Sequence, residues 1–183
     1  VNPNNKNVWF HVSSLGEFEQ ARPVMEKIRA QYPDHKIILT FFSPSGYNVR
    51  KNYNGADYIC YMPADTPQNA RKFLDIVNPK VIFFVKYDFW YNFLSEARRR
   101  DIPLYIFSTI FRKEQVFFKW YGGMMRPVLS LFQYKFVQDE QSAELLRGLG
   151  HKHVAVCGDT RFDRVIAIQQ QAKVLPWAEE VSG

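Results

Sequence analysis

Seven apolar runs, each short and none alternating cleanly with polar residues, limit what this 183-residue chain can fold into. They are VWFHV (8–12), KIILTF (36–41), YICYM (58–62), KVIFFV (80–85), PLYIFS (103–108), YKFVQ (134–138) and HVAVC (153–157). A strand with one wet face alternates apolar and polar side chains, whereas an unbroken apolar strand is covered on both sides, as in a parallel sheet between helices. The intervening segments carry the matching helical spacing: Phe18, Ala21, Val24, Met25 and Ile28 share one face, and Ala70, Phe73, Leu74 and Val77 another. Strand and helix alternating in this way predict an α/β domain, Rossmann-like and doubly wound, with a mainly parallel sheet. One stretch breaks the rhythm. Residues 110–133, IFRKEQVFFKWYGGMMRPVLSLFQ, are too long for a simple turn and are expected to form two short helices.

The length favours one hydrophobic core. It is placed at residues 1–164, with 165–183 expected as a helix and a proline-broken tail leading toward a further domain. The longest purely apolar stretches, such as VIFFV at 81–85, fall far short of the roughly 18 residues that cross a bilayer. The chain opens on valine without a signal peptide, and its ends read as cuts in something longer. Cys60 and Cys157 lie far apart inside apolar runs and are expected as reduced, buried thiols. A formal charge of +6 points to an anionic partner: nucleic acid, an acidic membrane surface or a phosphorylated substrate.

In an open parallel sheet, ligands collect at the C-terminal strand ends, where helix N-termini present free N–H groups. HVSSLGE, residues 11–17, falls at such a place. Ser14-Leu15-Gly16-Glu17 fits the S-x-x-E capping box, in which the serine caps a helix and the glutamate reaches back to the cap's N–H. A second reading has Gly16 admitting a substrate close to the backbone and Glu17 accepting a proton from a substrate hydroxyl. The pattern alone leaves both open. After the second strand, SPSGYN offers Ser43, Ser45 and Gly46 for contacts with an anion or sugar, or for an ordinary helix start.

After the fourth strand, KYDFWYN sets Lys86 and Asp88 at the rim beside Trp90, as ligand contacts or as a salt bridge and cap. GDTRFD, after the seventh, groups Gly158, Asp159, Arg161 and Asp163. A dinucleotide fold needs G-x-G-x-x-G in the first loop, where only Gly16 is present, and no G-x-x-x-x-G-K-[ST] phosphate loop occurs. His151, His153 and Cys157 match no zinc spacing, so no metal site is expected. FFKWYGGMMR, 117–126, mixes aromatics and methionines with Lys119 and Arg126, which suits a membrane interface as well as core packing.

In this order and spacing, the segments resemble the N-terminal half of the bacterial Kdo transferases, which attach 3-deoxy-D-manno-octulosonic acid to the lipid A precursor. HVSSLGE resembles the family's H-x-V/S-S-x-G-E motif, TFFSPSGY its T-x-T-P-T/S-G segment, KYDFW its E-T-E-L-W and GDTRFD its G-x-x-K-F-D; YMPADTP also falls in register. The resemblance spans nearly the whole chain. It implies the N-terminal half of a glycosyltransferase-B fold, which holds the acceptor, facing a missing C-terminal domain that holds the donor CMP-Kdo.

What the resemblance implies for chemistry is an inverting, metal-independent displacement without a cofactor, with Glu17 as general base. Ser13, Ser14 and Gly16 would shape the acceptor pocket, while Ser45, Gly46 and Arg112 meet the sugar or its phosphates. The parent protein would work at the cytoplasmic face of the bacterial inner membrane, with 117–126 against acyl chains or the acidic membrane surface. The positive charge then has its partner in lipid A precursor phosphates, and no nucleic acid is expected. Lys86 and Asp88 stand where the family has two glutamates, which changes one carboxylate to a cation and shortens the other; both remain candidates for acceptor binding. The alternative is a non-catalytic basic module that binds acidic membrane or nucleic acid.

Overall fold

The computed structural model describes residues 6–160. Seven strands form one sheet in the order β3-β2-β1-β4-β5-β6-β7: β1 Asn7–Val12, β2 Lys36–Phe41, β3 Tyr58–Tyr61, β4 Pro79–Val85, β5 Leu104–Thr109, β6 Tyr134–Val137 and β7 Val154–Val156. Every neighbouring pair is parallel, with registers such as His11 opposite Thr40 on one side of β1 and Phe84 on the other. The helices are α1 Leu15–Gln31, α2 Pro44–Arg50, α3 Pro67–Val77, α4 Tyr91–Arg99, α5 Arg126–Leu131 and α6 Glu140–Gly148. The expected doubly wound class is what forms.

Two apolar layers flank the sheet. Phe18, Ala21 and Met25 of α1 pack with Val8, Phe10 and Val12 of β1 on one face. On the other, Trp9 meets Leu74 of α3, Phe93 and Leu94 of α4, and residues of α5 and α6. Every residue of β1 is buried, as its unbroken apolar run requires, and His11 is the one ionisable group among them. The edge strand β3 is the exception, with Tyr58 and Tyr61 exposed.

Local chemistry sets the helix starts. Thr66 caps α3 ahead of a proline in its first turn, and Asp139 caps α6 through the Ser142 N–H at 2.7 Å. Trp90 at the N-cap of α4 makes no side-chain cap, so Asp65 from the YMPADTP stretch supplies it, accepting from the Asn92 and Phe93 N–H groups at 3.1 and 3.3 Å. That motif is therefore structural in at least this residue: it ties the chain after β3 to α4.

Two expectations need correction. Residues 110–133 fold into two 3₁₀ turns, Val116–Phe118 and Gly122–Met124, followed by α5, because Gly122 packs against the Val116 carbonyl and Pro127 starts a new helix. Cys60 is only half-buried and Cys157 exposed, since β3 is an edge strand and Cys157 lies just past the end of β7. The helix and tail expected at 165–183 lie outside the described residues.

Gly46 shows how tightly α2 abuts α1. A Cβ there would sit 2.7 Å from the buried Phe41 ring and 3.1 Å from the Leu15 backbone nitrogen. Overpacking of this kind costs about 1–3 kcal/mol, against up to about 1 kcal/mol that alanine returns in helix propensity. Gly46→Ala is expected to lower stability by about 1 kcal/mol in urea unfolding; an unchanged midpoint would mean that the two helix starts are not in contact.

Candidate active site

The chain runs from β1 outward to β2 and β3, then crosses back to β4 and continues the other way. The loops after β1 and β4 therefore part, and their divergence opens a crevice at the C-terminal ends of two adjacent strands, the usual ligand position in such sheets. HVSSLGE lines one side of it and KYDFW the other.

Ser14 is the N-cap of α1, accepting from the Glu17 N–H at 3.4 Å. Glu17 does not close the box in the expected way. Its Oε2 accepts from the N–H of Ser13, one residue before the cap, at 2.5 Å, and the Ser14 N–H is a lesser influence on the carboxyl. Ser13 also donates its hydroxyl to Asp88 Oδ2 at 2.5 Å. One serine thus holds two carboxylates, one through its backbone and one through its side chain.

Below Asp88 lies His11, fully buried, with Nε2 3.4 Å from Asp88 Oδ2. Its Nδ1 is 2.8 Å from Thr40 Oγ1, which also accepts from Trp9 Nε1–H at 2.9 Å. The single Thr40 hydroxyl proton has His11 Nδ1 at 2.8 Å and the Phe10 carbonyl at 3.4 Å to choose between. Nε2 faces Asp88 and has no hydrogen-bond partner among the described residues. The Trp90 ring covers His11 edge-on at 5.4 Å.

Burial pushes the Glu17 carboxyl up to about 7, helped by the negative charge of Asp88; the Ser13 N–H, Lys86 and the Ser14 N–H pull the other way and lose. A carboxyl poised there exchanges its proton near neutrality, which is what a general base needs. Space is available beside it. Gly16 is exposed, and a Cβ on it would meet nothing nearer than Ser14 Oγ at 3.9 Å. Lys86 (φ 60°) and Ser108 (φ 56°) adopt left-handed backbone at the ends of β4 and β5, a conformation that non-glycine residues hold only under constraint.

The other candidates fall around the same rim. Ser43 caps α2, and its hydroxyl contacts Ser45 Oγ at 2.8 Å; Ser45 remains exposed. Gly46 is buried and its N–H goes to the Ser43 carbonyl at 3.2 Å, so it spaces the two helices and its amide is already engaged. Arg112 is one loop further along, paired with Asp139 at 3.1 Å. Tyr87 links the two loops, its hydroxyl hydrogen-bonding both the carbonyl and the N–H of Ile110. Asp159 reaches back to Gln20 Nε2 of α1 at 3.3 Å, and Thr160 donates to the Gln20 carbonyl at 2.8 Å. Arg161 and Asp163 lie outside the described residues. Among the described residues no group of three or more His, Cys, Asp or Glu is placed to hold a metal.

Around this crevice the buried polar residues His11, Thr40 and Gln20 were not singled out from the sequence. A histidine and a threonine embedded in apolar strands, at equivalent positions of neighbouring runs, are the signal that would have found the first two.

Comparison with known proteins agrees with this geometry. A family model for 3-deoxy-D-manno-octulosonic-acid transferase (kdotransferase) matches residues 1–164. The transferase of that name from Aquifex aeolicus is 26% identical over 157 residues, covering 85% of this chain and 40% of the relative. That from Bordetella pertussis is 24% identical over 178 residues, covering 93% and 41%. The chain thus spans about two fifths of the length of these relatives. In fold it is similar to UDP-GlcNAc 2-epimerase from Neisseria meningitidis, with a TM-score of 0.65 at 17% identity over 92% of this chain and 50% of the other. That likeness places the fold with one Rossmann-like half of the glycosyltransferase-B type. By the match over residues 1–164, the chain belongs to the 3-deoxy-D-manno-octulosonic-acid transferase family.

Proposed function

We propose that this chain is the acceptor-binding half of a Kdo transferase acting on the lipid A precursor, with Glu17 as general base. The carrying observation is the Glu17 carboxyl held near 7 at the open crevice between β1 and β4. In the proposed step a glucosamine hydroxyl of the acceptor gives its proton to Glu17 while its oxygen bonds to the anomeric carbon of Kdo. CMP leaves with the electron pair of the broken bond. The displacement inverts the anomeric centre and involves no covalent enzyme intermediate and no metal. Asp88 and Ser13 act on Glu17 rather than on the sugar, while Lys86, Ser45 and Arg112 offer positive charge and a hydroxyl to acceptor phosphates and oxygens. The donor CMP-Kdo would be bound mainly by a C-terminal domain, so this half alone binds acceptor without turnover.

The same reading gives the 117–126 segment a membrane task. Trp120 is 91% and Met124 93% exposed, with Tyr121 and Met125 beside them. Side chains of this size seldom stand so free unless something apolar covers them. Among the described residues no helix is long and apolar enough to cross a membrane, so contact would be with one leaflet, at the cytoplasmic face of the inner membrane in the parent protein.

Glu17 is expected to titrate near 7 by carboxyl NMR, and Asp88→Asn to move it down toward the ordinary glutamate value; an ordinary value in the unaltered chain would remove the base. The sign for stability follows. Because the folded-state value lies above the unfolded 4.5, the folded chain holds the extra proton between pH 4.5 and about 7 and loses stability as pH rises through that window. Glu17→Gln is therefore expected to be more stable than the unaltered chain at pH 8, by about 1–2 kcal/mol once solvent screening is allowed for, and equal to it near pH 4 in urea titrations.

In the transferase carrying both halves, Glu17→Gln should lower kcat by about 10²–10⁴-fold with acceptor affinity kept. Amide shifts on titrating this chain with the bisphosphorylated glucosamine disaccharide should cluster at 13–17, 43–48 and 86–90. Shifts scattered over lysines and arginines would instead favour a non-catalytic basic module.

Trp120→Ala with Met124→Ser should reduce binding to vesicles containing anionic lipid by at least tenfold and abolish the blue shift of tryptophan emission. Equal binding by the variant would move the membrane contact elsewhere.

A further inference from the structure

At the opposite end of the sheet a cavity of about 410 Å³ opens between the end of α4, the α5–β6 connection and the turn before β7. Its lining includes Arg98, Ser130, Lys135, His151, Lys152 and His153, and no carboxylate. Among the described residues, none of Arg98, Lys135 and Lys152 forms an ion pair. Lys135 is only 3% exposed, and its ammonium makes one hydrogen bond, to the Phe132 carbonyl at 2.9 Å. An ammonium carries three donors, and two of those on Lys135 are left for whatever occupies the recess it lines.

A cation beside the C-terminal carbonyls of α5 has a simpler use, complementing the helix end. That accounts for the bond to Phe132 and not for the rest. Five cationic or ionisable nitrogen side chains from three separate segments converge on one recess, and Gly150, at φ 88°, turns the chain so that three of them follow in a row. Burial pushes Lys135 down to about 8, and burial together with Lys135 pushes His151 down.

We propose that this cavity is a second ligand site, for a small soluble molecule bearing a phosphate group, held by Lys135 from the floor and by Arg98 and Lys152 from the rim. The volume is in the range of small-ligand pockets. A flat membrane surface is a poor occupant, since the buried ammonium lies at the floor of the recess. Nothing in this site depends on the transfer reaction proposed for the crevice between β1 and β4.

Titration of the full chain with inorganic phosphate, at constant ionic strength and followed by amide shifts, tests the site. Saturable shifts at 130–135 and 150–153 are expected, weakened at least tenfold in Lys135→Met and in the exposed double variant Arg98→Gln, Lys152→Gln. Lys135→Met removes a buried charge, and the double variant alters only surface residues, so one of the two keeps the test valid if the other fails to fold. Three results would overturn the proposal: no saturable shifts, shifts that sodium chloride reproduces at equal ionic strength, or unchanged affinity in a folded variant. A response of these residues to phosphatidic acid vesicles but not to inorganic phosphate would overturn it as well, by making the ligand a lipid surface.

Discussion

Ser13 carries two hydrogen bonds on which the candidate site depends, one from its backbone to Glu17 and one from its hydroxyl to Asp88, each 2.5 Å long. They exist because β1 and β4 are hydrogen-bonded neighbours, His11 opposite Phe84, so that the residues following each strand arrive side by side. Neither carboxylate is adjacent to the other in sequence, and neither would be held without the strand pairing beneath. His11, Thr40 and Trp9 extend the arrangement downward into the core, where Thr40 Oγ1 bonds both Trp9 Nε1 and His11 Nδ1 and leaves His11 Nε2 to face Asp88. Trp9 is itself wedged against Phe84 and Phe93, so this column of polar contacts is anchored in the packed core.

The KYD of this chain bears on Glu17 with opposite signs. Asp88 raises the Glu17 value and Lys86 lowers it, with Asp88 the larger influence. Lys86 in this loop thus opposes one negative neighbour of Glu17 with one positive one. Lys86 holds a left-handed backbone while its N–H bonds to the Phe107 carbonyl at 3.0 Å, so the residue is fixed in place by β5 whatever its side chain does. Ser108, on the next strand, is held in the same conformation, and the β5–β6 register shifts between Ile106 and Thr109 around it. Adjacent strand ends with constrained backbones give the crevice a rigid floor.

The fold was legible because burial on both faces leaves a direct mark on sequence: all seven apolar runs became strands, and the faces marked by Phe18, Ala21 and Met25 or by Ala70, Leu74 and Val77 are the ones buried. Glu17 and Asp88 were legible as candidates by position after strands, and Ser13 through the family resemblance. That one serine joins the two carboxylates was not, since this is a relation between residues 75 apart in the chain, set by register. The packing of Gly46 was hidden for a related reason. A glycine needed for helix packing and one needed for ligand approach look alike until the neighbouring Phe41 ring is in place. The Lys135 cavity was invisible for the same cause, its cations coming from three segments that only the sheet brings together.

The proton affinity of Glu17 is set by which influences on it are largest, not by the motif. Capping alone gives a carboxylate N–H donors at a positive helix end and so drives its proton affinity down. Glu17 has those donors, in Ser13 and Ser14, and they do lower it. They are outweighed by burial and by a second carboxylate held against it through Ser13, neither of which a cap requires and both of which cost stability when the group ionises. A residue selected only to start α1 would gain from losing Asp88, whereas a residue that must trade protons near neutrality would lose its purpose. The arrangement that costs stability stands where the loops after β1 and β4 part.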